Sequence, residues 1–493
     1  MKINWGKYKH FPYEKRFAID ELRSIVEPEK IVEDEQSVLI EGGRTERCHD
    51  LTYFSEFGTG NQFQPTRQHL IEISAGNGGK RQSTRYSVHG LHEYKGKFNP
   101  QVARALLNIL APEPGATILD PFCGSGTTLI EAVHLGHIGY GIDVNPLAIY
   151  ITNAKFAGLT NSAEALRSAL ERIKNGISRN GVEVPDTSRS NRAVYLKNWL
   201  PSSTFRQAEL VRAIAGQESK SIKNFFLTIA SDKLRDHSLQ EPADLRIRRR
   251  RSPLPKIDFS EDFLRTAEAV VERISAAQAA FGLKNAELHT AQIRNTELKA
   301  TFGEVKFDAA VTSPPYAMAL PYIDTQRLSL VWLGLVEPSE ILQLEATLIG
   351  SRELRGRARP LLEEKIRINH DKLPDSEWQR CCQLQAAIGP SDGFRRRAVP
   401  ILLYRYFSSM QNSFRAVAAA MKRGGHYALV VGHNHTTLGG SRFDIDTPRH
   451  LANIANAVGW RVARVEPLET YQRYGLHVKN AVREEALIVL ENG

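Results

Sequence analysis

Ala116-Thr117-Ile118-Leu119-Asp120-Pro121-Phe122-Cys123-Gly124-Ser125-Gly126-Thr127-Thr128 begins as an apolar run, ends that run on an acid, and then turns through two glycines. A short apolar run closed by a turn reads as a buried strand. Gly124 and Gly126 permit a tight turn and let backbone approach a ligand with no Cβ between them. The helical pattern from about 127 to 135, closed by Gly136, aims its first amides back at that turn. A second strand, 138–142, ends at Asp143, and Asn145-Pro146 caps the next helix. Just upstream, Asn99-Pro100 opens a helix whose apolar stripe is Val102, Leu106, Leu107 and Leu110. Strand, glycine turn, helix, strand and acid make the first half of a Rossmann-like sheet.

The turn narrows the ligand. A dinucleotide fingerprint would carry a third glycine, and a P-loop would end in Gly-Lys-Ser/Thr; this string has neither. Phe122 offers an apolar wall, and Asp143 sits where such folds hydrogen-bond ribose hydroxyls.

A second string lies far downstream. The strand-like run Phe307-Asp308-Ala309-Ala310-Val311 leads into Thr312-Ser313-Pro314-Pro315-Tyr316. Two prolines stiffen that loop and donate no backbone hydrogens, so carbonyls project as acceptors. Acceptors of this kind suit an amine donor, and Tyr316 offers a flat face for a planar partner. Further strands are expected at 286–290, His426–Val431, 460–465 and 486–490. The chain divides into an N-terminal extension (1–85, partly helical), a cofactor half (86–156), a mostly helical insertion (157–285), a catalytic half (286–334), an irregular charged insertion (335–400), and C-terminal strands (401–493). In the first insertion the clearest helix is 260–281, with Phe263, Leu264, Ala267, Val270, Val271, Ile274 and Ala277 on one face.

Together the two strings resemble the S-adenosylmethionine-dependent amino-methyltransferases that act on DNA, the N4-cytosine and N6-adenine methylase family. The resemblance covers about 86–156 and 286–334 well and the insertions hardly at all. It implies an α/β fold, a Rossmann-like methyltransferase sheet, with S-adenosyl-L-methionine as cofactor. The cofactor residues it implies are Asp120, Pro121, Phe122, Gly124, Gly126, Thr127, Asp143 and Asn145. Lys97 and Phe98, from His92-Glu93-Tyr94-Lys95-Gly96-Lys97-Phe98, would join them against the methionine end. Ser313, Pro314, Pro315 and Tyr316 are the implied catalytic loop, with Tyr322 and Asp324 near the target pocket. Serine in first position resembles the enzymes that methylate N4 of cytosine, whereas Asp or Asn is more usual for N6 of adenine. Ala291-Gln292-Ile293-Arg294 lacks the acid that the family often sets against the cofactor adenine. The cofactor loop precedes the catalytic loop, unlike the permuted order of many cytosine-N4 enzymes.

Two readings compete. Some tRNA guanine-N2 methyltransferases carry a similar first loop, but usually have Gly after the catalytic Tyr, where this chain has Ala317. A non-catalytic DNA-binding subunit with this fold is the other, against which the intact loops argue.

Composition agrees with a polyanion partner. The 493 residues carry 65 Lys and Arg against 55 Asp and Glu, a net charge of +10. Arg246-Ile247-Arg248-Arg249-Arg250-Arg251 and Arg395-Arg396-Arg397 concentrate that charge. Runs of this kind are ordinarily solvated faces; here Arg248, Arg249, Arg250, Arg395 and Arg396 are candidates for DNA phosphate. Double-stranded DNA is the expected partner, with cognate restriction or defence proteins beside it. Four cysteines without ligand spacing suggest reduced thiols, and no run is long enough to span a bilayer, so a cytoplasmic protein is expected. Gly432-His433-Asn434-His435 has two histidines and no acid; it reads as a loop and no metal is expected.

Overall fold

The computed structural model describes residues 1–76, 82–179, 189–283, 286–317, 323–354, 358–469 and 484–493. Its N-terminus is partly helical as expected, and it also holds a sheet that the sequence did not announce. Beside the Pro12–Glu21 helix run five strands: β1 (Lys2–Trp5), β2 (Lys30–Glu33), β3 (Ser37–Glu41), β4 (Phe54–Thr59) and β5 (Gln62–Pro65). They pair antiparallel in the order β2-β3-β1-β4-β5, with Ile3 between Val38 and Phe57. Strands this short derive their stability from partners far along the chain, so local sequence announces them poorly.

The central sheet uses β6 (Thr117–Asp120), β7 (Ile138–Ile142), β8 (Leu288–Ala291), β9 (Phe307–Thr312) and β10 (Met421–Gly432). A hairpin of β11 (Asn434–Leu438) and β12 (Ser441–Ile445) follows, then β13 (Trp460–Glu469) and β14 (Glu484–Asn492) complete the sheet. The loop expected at Gly432–His435 is thus the end of β10 and the start of a hairpin. The sheet order is β13-β14-β10-β9-β6-β7-β8. Strands β6 to β10 are mutually parallel, and β14 inserts antiparallel between β10 and β13. This is the expected Rossmann-like methyltransferase sheet. The order reverses at β6, with β7 and β8 to one side and β9 and β10 to the other, so a crevice opens at the carboxyl ends of β6 and β9.

Burial alternates along the strands as a sheet covered on both faces requires. Leu119, Ala310, Leu429 and Ile488 pack with the Val399–Ala420 and Thr447–Ala457 helices. Ile118, Ala309, Val311, Ala428 and Val430 pack with the Pro100–Leu110 helix and the N-terminal lobe. The first insertion is helical as expected, and its Phe259–Phe281 helix buries Phe263, Ala267, Val270, Val271, Ile274 and Ala277. It shares a core with the Pro146–Thr160 helix, which runs past the expected boundary at 156.

The second insertion is also helical where an irregular segment was expected, with helices at Ile341–Thr347, Ala358–Arg367 and Asp375–Ala386. Its apolar residues, Leu362, Ile366 and Cys381 among them, join the core around the Val399–Ala420 helix. The four cysteines are free. Among the described residues no helix is long and apolar enough to cross a membrane.

Candidate active site

The cofactor loop is built from below by one helix. Gly124 and Gly126 take left-handed φ values of +49° and +77°, and a Cβ at Gly126 would lie 2.6 Å from Thr152 Cγ2. The Pro146–Thr160 helix therefore packs directly under the turn. Thr152 Oγ1 donates to the Gly124 carbonyl at 3.1 Å, and the buried Lys155 Nζ donates to the Ser125 carbonyl at 2.6 Å. Burial lowers the Lys155 pKa to about 7.

Two acids hold the loop from its ends. Asp143 accepts from the Gly124 amide at 3.0 Å and the Asn145 amide at 2.8 Å. A carboxylate with two bonds made keeps lone pairs for ribose hydroxyls. Burial raises its pKa to about 6. Asp120 accepts from Thr312 Oγ1 at 2.6 Å and the Phe122 amide at 3.1 Å, and burial likewise raises it to about 6. The Thr312 bond ties the end of β6 to the end of β9, so the two loops share a foundation. Asn295, after β8, donates to the Pro121 carbonyl at 3.4 Å.

Tyr94 and Gln326 are residues that sequence reasoning passed over. Tyr94 lies over Gly124, whose Cβ position is 3.3 Å from the ring. Asn145 caps its helix by accepting from the Leu147 amide, and its Nδ2 donates to Gln326 Oε1 at 2.6 Å and to Tyr94 Oη at 3.4 Å. Tyr94 stands inside the quoted His92–Phe98 segment and Gln326 just beyond Asp324, but only the fold shows that they meet at Asn145. Lys97 donates to the carbonyls of Thr84 and His89, and burial holds its pKa well below the usual lysine range.

The catalytic loop has a different kind of support. Pro314 is buried, while Ser313, Pro315 and Tyr316 are half-buried. Tyr316 Oη donates to Glu485 Oε1 at 2.5 Å. Because β14 is antiparallel, its first residues lie at the edge where the parallel strands end, which sets Glu485 beside the loop. Gly350 of the second insertion packs on the Tyr316 carbonyl; a Cβ there would come within 2.5 Å. Arg405 fastens the same strap, donating to the carbonyls of Glu353, at 2.9 Å, and Ser351.

A single cleft of about 2470 Å³ collects these groups. Lys97, Phe98, Asp120, Phe122, Gly124, Thr127, Asp143 and Asn145 line one part, and Ser313 to Tyr316 another. Pro121 and Gly126 shape the loop from outside the lining. Pockets for one small molecule are typically ~300–1,000 Å³, so this cleft has room for a cofactor and a bulky second substrate. Arg395 and Arg396 line it, with Arg246. The other candidate arginines are engaged by the protein itself, although Arg248 and Arg249 stay exposed. Arg248 pairs with Asp244 at 3.0 Å. Arg249 stacks on Trp199 and donates to the Asn198 carbonyl. Arg250 donates to the carbonyls of Gln240, Pro253 and Asp236. Asp324 lines the cleft and pairs with Arg327 at 2.8 Å; Tyr322 lies outside the described residues. His89, Glu131 and His134 come together in the core, but Arg104 donates to Glu131 at 3.2 Å and already supplies a cation there.

The residues fit S-adenosylmethionine: an apolar wall at Phe122, an acid at Asp143, and a glycine cradle that a Cβ would fill. Comparison with known proteins points the same way. The profile of the RMKL-like methyltransferase domain matches residues 91–174. The type II methyltransferase M.MvaI of Kocuria varians is 25% identical over 299 residues, 55% of this chain and 63% of that protein. The type II methyltransferase M.BsoBI of Geobacillus stearothermophilus is 26% identical over 279 residues, 51% of this chain and 53% of that protein. A tRNA (guanine(10)-N2)-dimethyltransferase of Methanothermobacter thermautotrophicus is 38% identical over 77 residues, 15% of this chain and 23% of its own. The chain thus spans a little over half the length of the type II methyltransferases it matches. S-adenosyl-L-methionine is the cofactor of this domain.

Proposed function

We propose that this protein is a DNA amino-methyltransferase that methylates N4 of cytosine in a modification or host-defence system. The observation that carries the reading is the bond between Thr312 and Asp120, which fastens a Ser-Pro-Pro-Tyr loop beside the cofactor loop at the switch point of the sheet. The likeness to type II methyltransferases supports DNA as substrate.

In this reading each residue has a plain task. Asp143 holds the ribose, Phe122 the adenine, and Asn145 keeps Tyr94 and Gln326 in place around the loop. Ser313 Oγ and the Pro314 carbonyl accept the two amine hydrogens, which localises the nitrogen lone pair toward the cofactor. Tyr316, its hydroxyl pinned on Glu485, offers a fixed face for the flipped base. S-adenosylmethionine supplies a methyl group on a positive sulfur: the amine nitrogen bonds that carbon, the carbon–sulfur bond breaks, and sulfur keeps the electron pair. The surplus amine proton is shed to solvent. Orientation, more than a strong base, is what the protein contributes to such an in-line displacement.

Incubation with labelled cofactor and unmethylated duplex DNA should place the label on cytosine N4. Label on adenine N6 would keep the enzyme class and change the base. Transfer to tRNA with none to DNA would favour the guanine-N2 reading, which the short tRNA dimethyltransferase match supports.

A further inference from the structure

Phe394 is the most exposed large apolar side chain among the described residues, at 70%, and it lines the same cleft as the Ser313–Tyr316 loop. An aromatic ring left in water forgoes the gain that burial brings. The turn that carries it is nonetheless firmly built. Asp392, only 4% exposed, accepts from the amides of Gly389 at 2.8 Å and Gly439 at 2.7 Å, which ties the turn to the β11–β12 hairpin. Arg397 donates back to the carbonyls of Asp392 at 2.7 Å and Pro390 at 2.8 Å. Gly389 packs so near Gly439 that a Cβ would lie 2.9 Å from its Cα. The ring is therefore displayed on a fixed base.

One face of the ring already has a partner. The guanidinium of Arg359, itself bonded to Glu363 at 3.0 Å, lies 5.3 Å from the ring centroid. A cation behind the ring and solvent over most of the rest leave a flat platform for a second planar group. Charge selects that group. Arg395 and Arg396, next in the chain, are exposed and line the cleft, so a polyanion that carries flat rings suits the site. The platform is also joined to the catalytic loop. The Phe394–Arg397 helix leads into the Val399–Ala420 helix, whose Arg405 holds the strap that packs on Tyr316.

We propose that Phe394, backed by Arg359, is a stacking site for a nucleobase of the bound nucleic acid, separate from the target base that the Ser313–Tyr316 loop takes. The proposal rests on the nucleic-acid reading of the cleft and adds a second base contact to it. Every base has a π-face, so the site serves any sequence and contributes affinity more than base choice.

The test is binding by the full-length protein to a fluorescein-labelled, mixed-sequence duplex with one abasic site, where neighbouring base faces are open, read by anisotropy. Phe394→Ala should weaken binding about 10-fold, the loss of one stacked base. The slope of log affinity against log salt should not change, because no charge is removed. Phe394→Trp should restore the affinity, and its added indole fluorescence, taken against wild type, should be quenched when the DNA binds. Leu361→Ala, at a residue 60% exposed outside the cleft lining, should bind as wild type. Cofactor affinity by calorimetry should match wild type throughout, which reports an intact fold. Wild-type affinity in Phe394→Ala would overturn the stacking site while leaving the DNA reading standing. So would wild-type affinity in Phe394→Leu, which keeps apolar bulk and loses the ring. A change of oligomeric state in Phe394→Ala, read by sedimentation, would also overturn it by making the ring a contact between copies. Wild-type protein that binds tRNA and no duplex would overturn the DNA reading, and the same variants on tRNA would then decide the site. Affinity for neither would sink both.

Discussion

The two loops that meet at the switch point are held in opposite ways. The cofactor loop is fastened by its own neighbourhood: Thr152 and Lys155 from the next helix, and Asp143 from the next strand, all within about thirty residues. The catalytic loop is fastened from a distance, by Glu485 of the last strand and by a strap of the second insertion. A cofactor is the same in every turnover, so a rigid site formed early in the chain suits it. In the proposed function a target nucleotide comes with a duplex attached, and a loop braced by insertions would let those insertions couple binding to placement.

The largest expected effect tests the rigid side. Gly126→Ala sets a Cβ against Thr152 at a left-handed φ and should cost about 2–5 kcal/mol of stability, from backbone strain and overpacking together. Chemical denaturation reads it, and calorimetry should show cofactor binding lost as well. Tyr316→Ala tests the other side. Loss of a stacked base, about 1–3 kcal/mol, should lower methyl transfer about 10- to 100-fold with cofactor affinity unchanged. A parallel fall in cofactor affinity would show that the loops are not separable in this way. Thr312→Val removes the side-chain bond between the ends of β6 and β9; Asp120 keeps its bond from the Phe122 amide, and the lost bond should cost about 1.5 kcal/mol and reduce cofactor affinity and transfer together.

The acids predict a pH signature on the cofactor side. Asp143 is raised to about 6, so its protonated form is favoured by the fold. Its contribution to stability is complete below the unfolded carboxyl range and is lost as pH rises through about 6. In its proposed role Asp143 binds ribose in the ionised form, so cofactor affinity should weaken as pH falls through about 6, and Asp143→Asn should flatten the curve. The smallest effect is at Glu485. Gln keeps an acceptor for Tyr316, so Glu485→Gln should transfer within about threefold of wild type, while Glu485→Ala should resemble Tyr316→Phe.

The same contrast explains what could be read from the chain. The Thr117–Asp120 strand, its glycine turn, Asp143 and the Asn145 cap are local patterns, and each appears in the structure where the sequence places it. The parallel strand at 307–312 and the Phe259–Phe281 helix are equally local, one by apolar run and the other by period. What escaped depends on pairing across long separations. The N-terminal sheet joins strands of four to six residues, and Glu485 reaches Tyr316 across 169 positions. Arginine runs were visible but not their direction: Arg249 and Arg250 turn onto Trp199 and backbone carbonyls, whereas Arg246 and Arg395 face the cleft.

The proposed function requires one cleft to bring a cofactor methyl to an amino nitrogen of DNA through the Ser313–Tyr316 loop. Its most direct test is methyl transfer from labelled S-adenosylmethionine to unmethylated duplex, with nucleoside analysis of the product, for wild type beside Ser313→Ala. The expected result is N4-methylcytosine with wild-type protein and a sharp loss with the variant at unchanged cofactor affinity. Cofactor binding without any label in DNA, or transfer that ignores Ser313, would contradict it.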